Sequence, residues 1–216
     1  MESVLVFDSL CSHTCYPSQE LKPKGISPAA MLAKSVALAL EKHPVINNAY
    51  STEDGILVNK DISVSMAVAA GGGLVTPTLV YANKRGISDL SKDWKQLVVK
   101  AKTGELASIE CEFGTFTISN KALLGDTSVE SMLPPGQGGI LVVGATRSEA
   151  INATTSTGVG SKPANGKKQA TTQRMVTMTA TFDGRLVSEK DASEFLKTLR
   201  DVIENQMAIV GGATTK

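Results

Sequence analysis

The sequence predicts an α/β fold built around one hydrophobic core. Stretches with the period-two alternation of β-strands are interleaved along the chain with stretches that have the spacing of amphipathic helices. At 216 residues, of which 42% are hydrophobic, the chain is long enough to bury one sizeable core. We therefore expect a single domain over residues 1–216.

The first helix is predicted to begin after Ser27, a good N-cap that is followed by Pro28 at the first helical position. Small and apolar residues continue to Leu40, and the helix should end before Pro44. His43 falls at the C-terminal end, where a cation complements the helix dipole. We therefore assign His43 a structural role in preference to a catalytic one.

Two strands joined by a glycine turn are predicted next. Residues 61–69 alternate between larger apolar side chains on one face and small or polar side chains on the other. Residues 71–73 are three glycines that lead into a second strand over residues 74–80. This glycine run is not a phosphate-binding loop, because no Lys-Ser/Thr pair follows it and no helix begins there.

A second helix is predicted from an N-cap at Ser88 to a C-cap at Gly104. Trp94, the single tryptophan, shares a face of this helix with Leu90 and Leu97. That placement favours a core anchor over a residue that stacks on a ligand.

The C-terminal part is predicted to contain a loop, a strand and a helix. Residues 151–173 carry almost no side chain that can enter a core, which is typical of a mobile loop. Residues 176–182 then alternate between apolar and threonine side chains and form the clearest predicted strand. Ser188, with Asp191 three residues later, is a variant of the capping box, and apolar residues follow at helical spacing to Ile203.

Charge and hydropathy exclude two kinds of partner. The 22 basic residues are nearly balanced by 21 acidic ones, so we expect no nucleic acid partner. No apolar run approaches the roughly 20 residues of a membrane-spanning helix, so we expect no membrane contact. The N-terminus begins directly with strand-like sequence, and we expect any organelle transit peptide to be absent or already removed.

The cysteines predict neither a disulfide scaffold nor a metal site. Cys11, Cys15 and Cys111 are an odd number, and a domain with its own core rarely needs disulfides. Cys11, His13 and Cys15 suggest zinc, but a closed structural site needs four ligands and no second cluster supplies the fourth. We expect free thiols and no bound metal.

Four short motifs resemble, in the same order, those of the dihydrolipoamide acyltransferases of the 2-oxo acid dehydrogenase complexes. They are residues 73–79 (GLVTPTL), 114–120 (GTFTISN), 133–138 (LPPGQG) and 183–189 (DGRLVSE). The resemblance covers almost the whole chain. It implies a two-layer sandwich of a mixed β-sheet with helices, similar to chloramphenicol acetyltransferase, that forms trimers. The LPPGQG motif is more similar to the plastid and cyanobacterial branch than to the mitochondrial one.

The last motif departs from the family at two catalytic positions. The family carries Asp-His-Arg-x-x-Asp-Gly, in which the histidine is the general base and the second aspartate supports it. Here Gly184 stands at the histidine position and Ser188 at the second aspartate position. Neither residue takes a proton from a thiol at neutral pH. By the same resemblance, Ser119 fills the position of the oxyanion-stabilising hydroxyl, and Asn120 is its substrate-binding neighbour.

The resemblance therefore implies a catalytically degenerate core subunit of a plastid-type pyruvate dehydrogenase complex. Its expected partners are copies of itself in a trimer or larger cage, active dihydrolipoamide acetyltransferase chains, and other subunits of the complex. Two alternatives stay open. One is a working acetyltransferase that moves acetyl from dihydrolipoamide to coenzyme A with an unusual base, and the other is a repurposed cage-forming scaffold.

Ligands, domains and location follow from the same resemblance. No covalently bound cofactor is expected, whereas coenzyme A and a lipoyl group carried by a partner are the ligands that the family implies. The length leaves no room for a lipoyl or peripheral-subunit-binding domain in this chain. The expected location is the plastid stroma, with the mitochondrial matrix and the bacterial cytoplasm as alternatives.

Overall fold

The computed structural model describes residues 2–11, 25–71, 73–121, 131–152 and 170–205. The helices in this part of the chain are α1 (Pro28–Lys42), α2 (Ile87–Thr103) and α3 (Glu189–Glu204). The strands are β1 (Glu2–Cys11), β2 (Ala49–Ser51), β3 (Gly55–Leu57), β4 (Val64–Ala70), β5 (Gly73–Val75), β6 (Thr78–Leu79), β7 (Phe116–Asn120), β8 (Gly139–Asn152) and β9 (Ala170–Asp183). Two short 3₁₀ helices cover Pro44–Asn47 and Ser108–Glu110.

Seven of these strands form one mixed sheet, which confirms the predicted fold class. Their order is β1-β9-β8-β7-β4-β5, and β6 also pairs with β4. Strand β7 is parallel to both of its neighbours, β4 and β8, and the remaining pairs are antiparallel. Strands β2 and β3 form a separate hairpin.

The hydrophobic core lies between the three helices and one face of the sheet. Phe116, Phe182 and Phe195 are fully buried at its centre. The ring centroid of Phe195 lies 5.9 Å from that of Phe116 and 5.8 Å from that of Phe182. The contact with Phe182 is edge-to-face and the contact with Phe116 is tilted, and together they join α3 to β9 and β7.

The helices α1 and α3 begin where the sequence predicts. Ser27 precedes α1 and Pro28 opens it, although the Ser27 side chain makes no capping hydrogen bond. Ser188 caps α3, because its Oγ accepts a hydrogen bond from Asp191 N at 3.2 Å. The same hydroxyl donates to Asp191 Oδ2 at 2.7 Å. The two residues therefore form the predicted capping variant.

The helix α2 begins earlier than predicted. Gly86, and not Ser88, precedes the helix, and its carbonyl accepts a hydrogen bond from Leu90 N at 3.1 Å. The extended backbone of Gly86 (φ −67°, ψ 149°) supplies that acceptor without any side-chain cap. The predicted end is confirmed, since Gly104 adopts φ 77° as the C-cap. Trp94 is 8% exposed and packs in the core, as predicted.

The strand predicted over residues 74–80 is divided into β5 and β6. The two pieces keep one antiparallel register with β4, since Val68 pairs with Val75 and Ser65 pairs with Thr78. The interruption falls at Pro77, which has no N–H to donate to the ladder.

The loop predicted over residues 151–173 is too long at both ends. Asn152 pairs with Ala170, so β8 and β9 continue as a hairpin into the predicted loop. Backbone pairing and the strand propensity of Thr171 and Thr172 are sufficient there without an apolar face. The central part, residues 153–169, lies outside the described residues.

Candidate functional site

A cleft of about 230 Å³ lies where β9 ends, between the β2–β3 hairpin and residues 133–137. It brings together two of the four sequence motifs, although they are far apart in the chain. The cleft is lined by Tyr50, Leu133, Pro134, Pro135, Gly136, Gln137, Asp183 and Arg185.

An ion pair between a buried aspartate and a half-exposed arginine forms the charged wall of the cleft. Asp183 is only 4% exposed, and its Oδ1 accepts hydrogen bonds from Arg185 N at 3.0 Å and from Arg185 Nε at 2.9 Å. Arg185 Nη2 donates to Asp183 Oδ2 at 2.5 Å. The hydrogen bond from the Arg185 side chain is the main reason that the pKa of Asp183 lies below its ordinary value, although burial acts in the opposite direction.

Tyr50 holds the other side of the arginine. The guanidinium carbon of Arg185 lies 4.1 Å from the centre of the Tyr50 ring, which is a cation–π contact. The sequence gives no signal for this contact, because Tyr50 and Arg185 are separated by most of the chain. Tyr50 is therefore a cleft residue that sequence reasoning misses.

Gln137 is a second residue that sequence reasoning misses, although it belongs to the LPPGQG motif. Its Oε1 accepts a hydrogen bond from Thr117 Oγ1 at 2.6 Å, and its Nε2 donates to the Gly114 carbonyl at 3.1 Å. A side chain at Gly138 would collide with the carbonyl oxygens of Ile46 and Asn48. Gln137 and Gly138 thus fix the floor of the cleft against β7 and the first 3₁₀ helix.

The two positions that the family resemblance predicts to be degenerate, Gly184 and Ser188, lie beside this cleft. Gly184 is exposed in a turn, in which Leu186 N and Val187 N both donate to the Asp183 carbonyl at 3.0 Å. It is not among the glycines to which the structure gives a positive φ. Ser188 is the N-cap of α3. Position 184 therefore carries no side chain, and the side chain at position 188 caps the helix.

The structure does not bring Ser119 and Gly184 together within one chain. Ser119, on β7 and 9% exposed, pairs with Val142 of β8, which in turn pairs with Thr179 of β9. Asp183 lies four residues beyond Thr179, a distance of about 14 Å along the strand. Asn120, beside Ser119, is exposed at the end of β7. Ser119 and the turn after β9 are therefore separated by about four residues along the strand direction, with β8 between their strands.

The other candidate residues are not part of the cleft. His43 closes α1, with its Nε2 lying 2.8 Å from Thr198 Oγ1, and this agrees with a structural role. His13 and Cys15 lie outside the described residues. Within the described ranges, no three His, Cys, Asp or Glu side chains gather as metal ligands. None of the described helices is long and apolar enough to cross a membrane.

Comparison with known proteins identifies the family. The profile of the 2-oxoacid dehydrogenases acyltransferase family (catalytic domain) matches residues 13–210. The chain belongs to this family. It is 40% identical over 187 residues to the dihydrolipoyllysine-residue acetyltransferase component 5 of the chloroplastic pyruvate dehydrogenase complex of Arabidopsis thaliana. That match covers 87% of this chain but only 38% of the Arabidopsis protein, so the chain corresponds to less than half of this acyltransferase relative.

Solved structures of acyltransferases share the fold. The dihydrolipoamide acetyltransferase of Azotobacter vinelandii is similar with a TM-score of 0.82 at 18% identity, over 97% of this chain and 84% of that one. A chloramphenicol acetyltransferase is similar with a TM-score of 0.61 at 14% identity, over 94% of this chain and 88% of that one. These similarities confirm the mixed sheet with helices that the family resemblance implies.

Proposed function

We propose that this chain is a catalytically degenerate core subunit of a plastid pyruvate dehydrogenase complex, related to dihydrolipoamide acetyltransferase. The observation that carries the proposal is the turn after β9. It keeps the Asp183–Arg185 ion pair on either side of a residue that has no side chain. The chloroplastic Arabidopsis relative supports the plastid location.

Acetyl transfer to coenzyme A needs a base, because a free thiol with a pKa of about 8.5 is mostly protonated at neutral pH. General-base assistance contributes about 100- to 10,000-fold to such a step. In the active enzymes of this family, by resemblance, the histidine supplies it. Gly184 supplies nothing in its place.

Asp183 is the nearest carboxylate that could replace the missing base, and its surroundings oppose that role. Four hydrogen bonds from Arg185 occupy its oxygens, and Asp183 is 4% exposed. Its pKa is lowered, chiefly by the Arg185 side chain, so the carboxylate is a weaker base than an ordinary aspartate. Ser188 is neutral and already caps α3. This is the physical reason to favour the degenerate subunit over an enzyme with an unusual base.

Association with other chains is the second part of the proposal. Because Ser119 and Gly184 are separated within one chain, a complete acyltransferase channel would combine Ser119 of one chain with the turn after β9 of another. Ser119 is then the oxyanion hydroxyl, and Asn120 is its substrate-binding neighbour. Coenzyme A and a lipoyl group carried by a partner are the ligands of that channel. We propose trimers that include copies of this chain and active, histidine-bearing chains.

The test compares acetyl transfer from acetyl-dihydrolipoamide to coenzyme A by four forms of the chain. Wild type and Gly184→Ala should both stay at the uncatalysed rate. Gly184→His, and more so Gly184→His with Ser188→Asp, should gain activity, since the backbone at Gly184 does not require glycine. Circular dichroism melts establish that the four forms are equally folded.

Robust turnover by the wild-type chain would refute the proposal of a catalytically degenerate subunit and favour an active acetyltransferase with an unusual base. If wild type and both histidine variants are inactive although folded, the chain has lost more than its base. A cage that contains no other dehydrogenase component would favour the scaffold alternative.

A further inference from the structure

Lys121 is a basic residue that lies directly beyond Ser119 and Asn120 at the end of β7. Its backbone N–H donates to the Val143 carbonyl at 2.9 Å, so the chain stays in the β-ladder for one residue past the strand. Ile118 is fully buried in the core on the helix side of the sheet. Because side chains alternate along a strand, Ser119 and Lys121 both lie on the opposite face.

The side chains of Ser119 and Lys121 are close enough to act on one chemical group. Residues two apart on a strand are separated by about 6.6 Å, and the flexible four-carbon stem of a lysine covers a comparable distance. Lys121 is half-buried, which is typical of a lysine that packs its stem on the protein and keeps its ammonium group accessible. The ammonium group of Lys121 can therefore reach a ligand that contacts the Ser119 hydroxyl.

The neighbouring strands carry small residues beside this pair. On one side, Ser119 pairs with Ala67 of β4, which is half-buried. On the other side, it pairs with Val142 of β8, and Gly144 follows two residues later. Since alanine and glycine have no long side chain, these positions leave the face open for a ligand next to Lys121.

The charge of Lys121 is not neutralised by the residues around it. In the part of the chain that the structure describes, its ammonium group forms no ion pair and no hydrogen bond. Arg147 also reaches this face, but two strands away, where its Nη1 donates to Thr177 Oγ1 of β9. A cation beside the Ser119 hydroxyl favours a ligand group that carries negative charge at this point.

The ligands of the proposed channel offer two kinds of negative charge, the phosphates of coenzyme A and the oxyanion that forms on the reacting thioester. The pantetheine arm separates the phosphates from the thiol by more than the distance between Ser119 and Lys121. A lysine two residues from Ser119 therefore lies at the reacting end of coenzyme A and not at its phosphates.

We propose that Lys121 stabilises the oxyanion together with Ser119, in the channel that this chain shares with a histidine-bearing neighbour. The inference rests on the proposed function. The histidine takes the proton of the coenzyme A thiol, and the sulfur bonds to the thioester carbon while the carbonyl π electrons move to oxygen. The Ser119 hydroxyl donates to this oxyanion, and the Lys121 ammonium group lies beside it. The bond from carbon to the dihydrolipoamide sulfur then breaks, and that sulfur takes the proton from the histidine.

A binding experiment by calorimetry tests this role in the full chain without any turnover. The probe is S-methylphosphonyl-dihydrolipoamide, whose anionic tetrahedral phosphorus resembles the oxyanion, and acetyl-dihydrolipoamide is its neutral, planar counterpart. Lys121→Met should weaken binding of the phosphonyl compound about tenfold and leave binding of the acetyl compound unchanged. Lys121→Arg should keep most of the affinity, because it keeps the charge. Lys102→Met is the matched control, since it removes the charge of an exposed lysine on α2.

Acetyl transfer by a mixed core tests the same role in the channel. The histidine-bearing chains carry alanine in place of their own serine, so that the oxyanion hydroxyl comes from Ser119. Lys121→Met should slow acetyl transfer about 10- to 100-fold, less than the loss of a buried oxyanion donor because the lysine is only half-buried. Lys102→Met should leave the rate unchanged. Circular dichroism melts establish that the variants are equally folded.

Two results would overturn the role of Lys121. One is that wild type does not bind the phosphonyl compound, or binds it no more tightly than Lys121→Met does. The other is a preference for transfer of succinyl over acetyl that is lost in Lys121→Met, which would assign the lysine to recognition of an acidic acyl group. If binding of the phosphonyl compound depends on Lys121 but the mixed core is inactive, the anion site stands and the mixed channel of the proposed function fails.

Discussion

At the scale of single residues, the turn after β9 is held by contacts on either side of a glycine. Asp183 and Arg185 bond each other and Tyr50 stacks on the arginine, and none of these contacts involves the residue between them. A glycine at position 184 therefore removes none of the contacts that the structure shows in this turn. Family resemblance located this site, but only the folded chain shows why Asp183 is a poor substitute base.

The ion pair leads to a prediction on pH. The pKa of Asp183 is lower in the folded protein than its ordinary value, chiefly because of the Arg185 side chain. Its contribution to stability is therefore present above the ordinary aspartate pKa of about 3.9 and is lost as pH falls through the lower folded value. Asp183→Asn should lower the free energy of unfolding at pH 7 by roughly 1–3 kcal/mol, a figure reduced by the half-exposed arginine.

Urea unfolding between pH 7 and pH 3 measures this effect. The gap between wild type and Asp183→Asn should narrow towards pH 3. Asp201→Asn, which removes an exposed carboxylate from α3, is the control for lost negative charge. A gap that is constant with pH would show that the carboxylate is not the stabilising group.

At the scale of helices and strands, local sequence determines where some elements begin or end but not others. Pro28 and Gly104 have conformations set by their own chemistry, so the start of α1 and the end of α2 are predictable. Gly86 precedes α2 without any side-chain cap, whereas Ser88 has the better capping side chain, so local sequence does not predict the start of this helix. The division of β5 from β6 at Pro77 was visible in the sequence, since proline cannot donate to the ladder.

The N-cap of α3 leads to a second prediction. Ser188→Ala removes the oxygen that accepts from Asp191 N, and it should lower the free energy of unfolding by about 0.5–2 kcal/mol. Ser188→Thr should cost little, because threonine keeps a hydroxyl that can accept from Asp191 N and donate to Asp191 Oδ2. Thermal and urea melts compare the two variants. An equal loss of stability in both variants would mean that the residue at position 188 does not stabilise α3 through its capping hydrogen bond.

The β8–β9 hairpin leads to a third prediction. Because Asn152 pairs with Ala170, residues 153–169 can be replaced by an Asn-Gly turn that closes the same two strands. The melting temperature should stay within a few degrees, since loop-closure cost grows slowly with loop length. A cooperative loss of folded protein would show that this segment packs against the domain.

At the scale of the whole molecule, the fold was predictable because motifs from four parts of the chain agree on one family. The cleft was not, since the contact between Tyr50 and Arg185 joins residues whose neighbours along the chain give no hint of it. The exposure of Ile56 and Val58 could not be predicted either, because in the sequence they resemble ordinary apolar core residues.

Assembly with other chains is the fourth prediction. Analytical ultracentrifugation of the isolated chain should show a trimer or a multiple of it, and native mass spectrometry of the complex should show mixed particles. In a reconstituted mixed core, Ser119→Ala should slow acetyl transfer at the channels that use this serine by about 100- to 1,000-fold. Gly184→Ala should leave the rate unchanged. A stable monomer at micromolar concentration would contradict the assembly.

The separation of Ser119 and Gly184 within one chain sets how the chain would act inside a mixed ring. Each copy would inactivate only the channel to which it contributes the turn after β9. Its Ser119 would still act in the channel that it shares with the neighbour on its other side. The rate of acetyl transfer by the complex would then fall in proportion to the number of copies incorporated. It would not be abolished by incorporation of the first copy. A cell could adjust the acetyl flux of an assembled particle by subunit dosage alone, without any change in the particle's size or in the catalytic chains themselves.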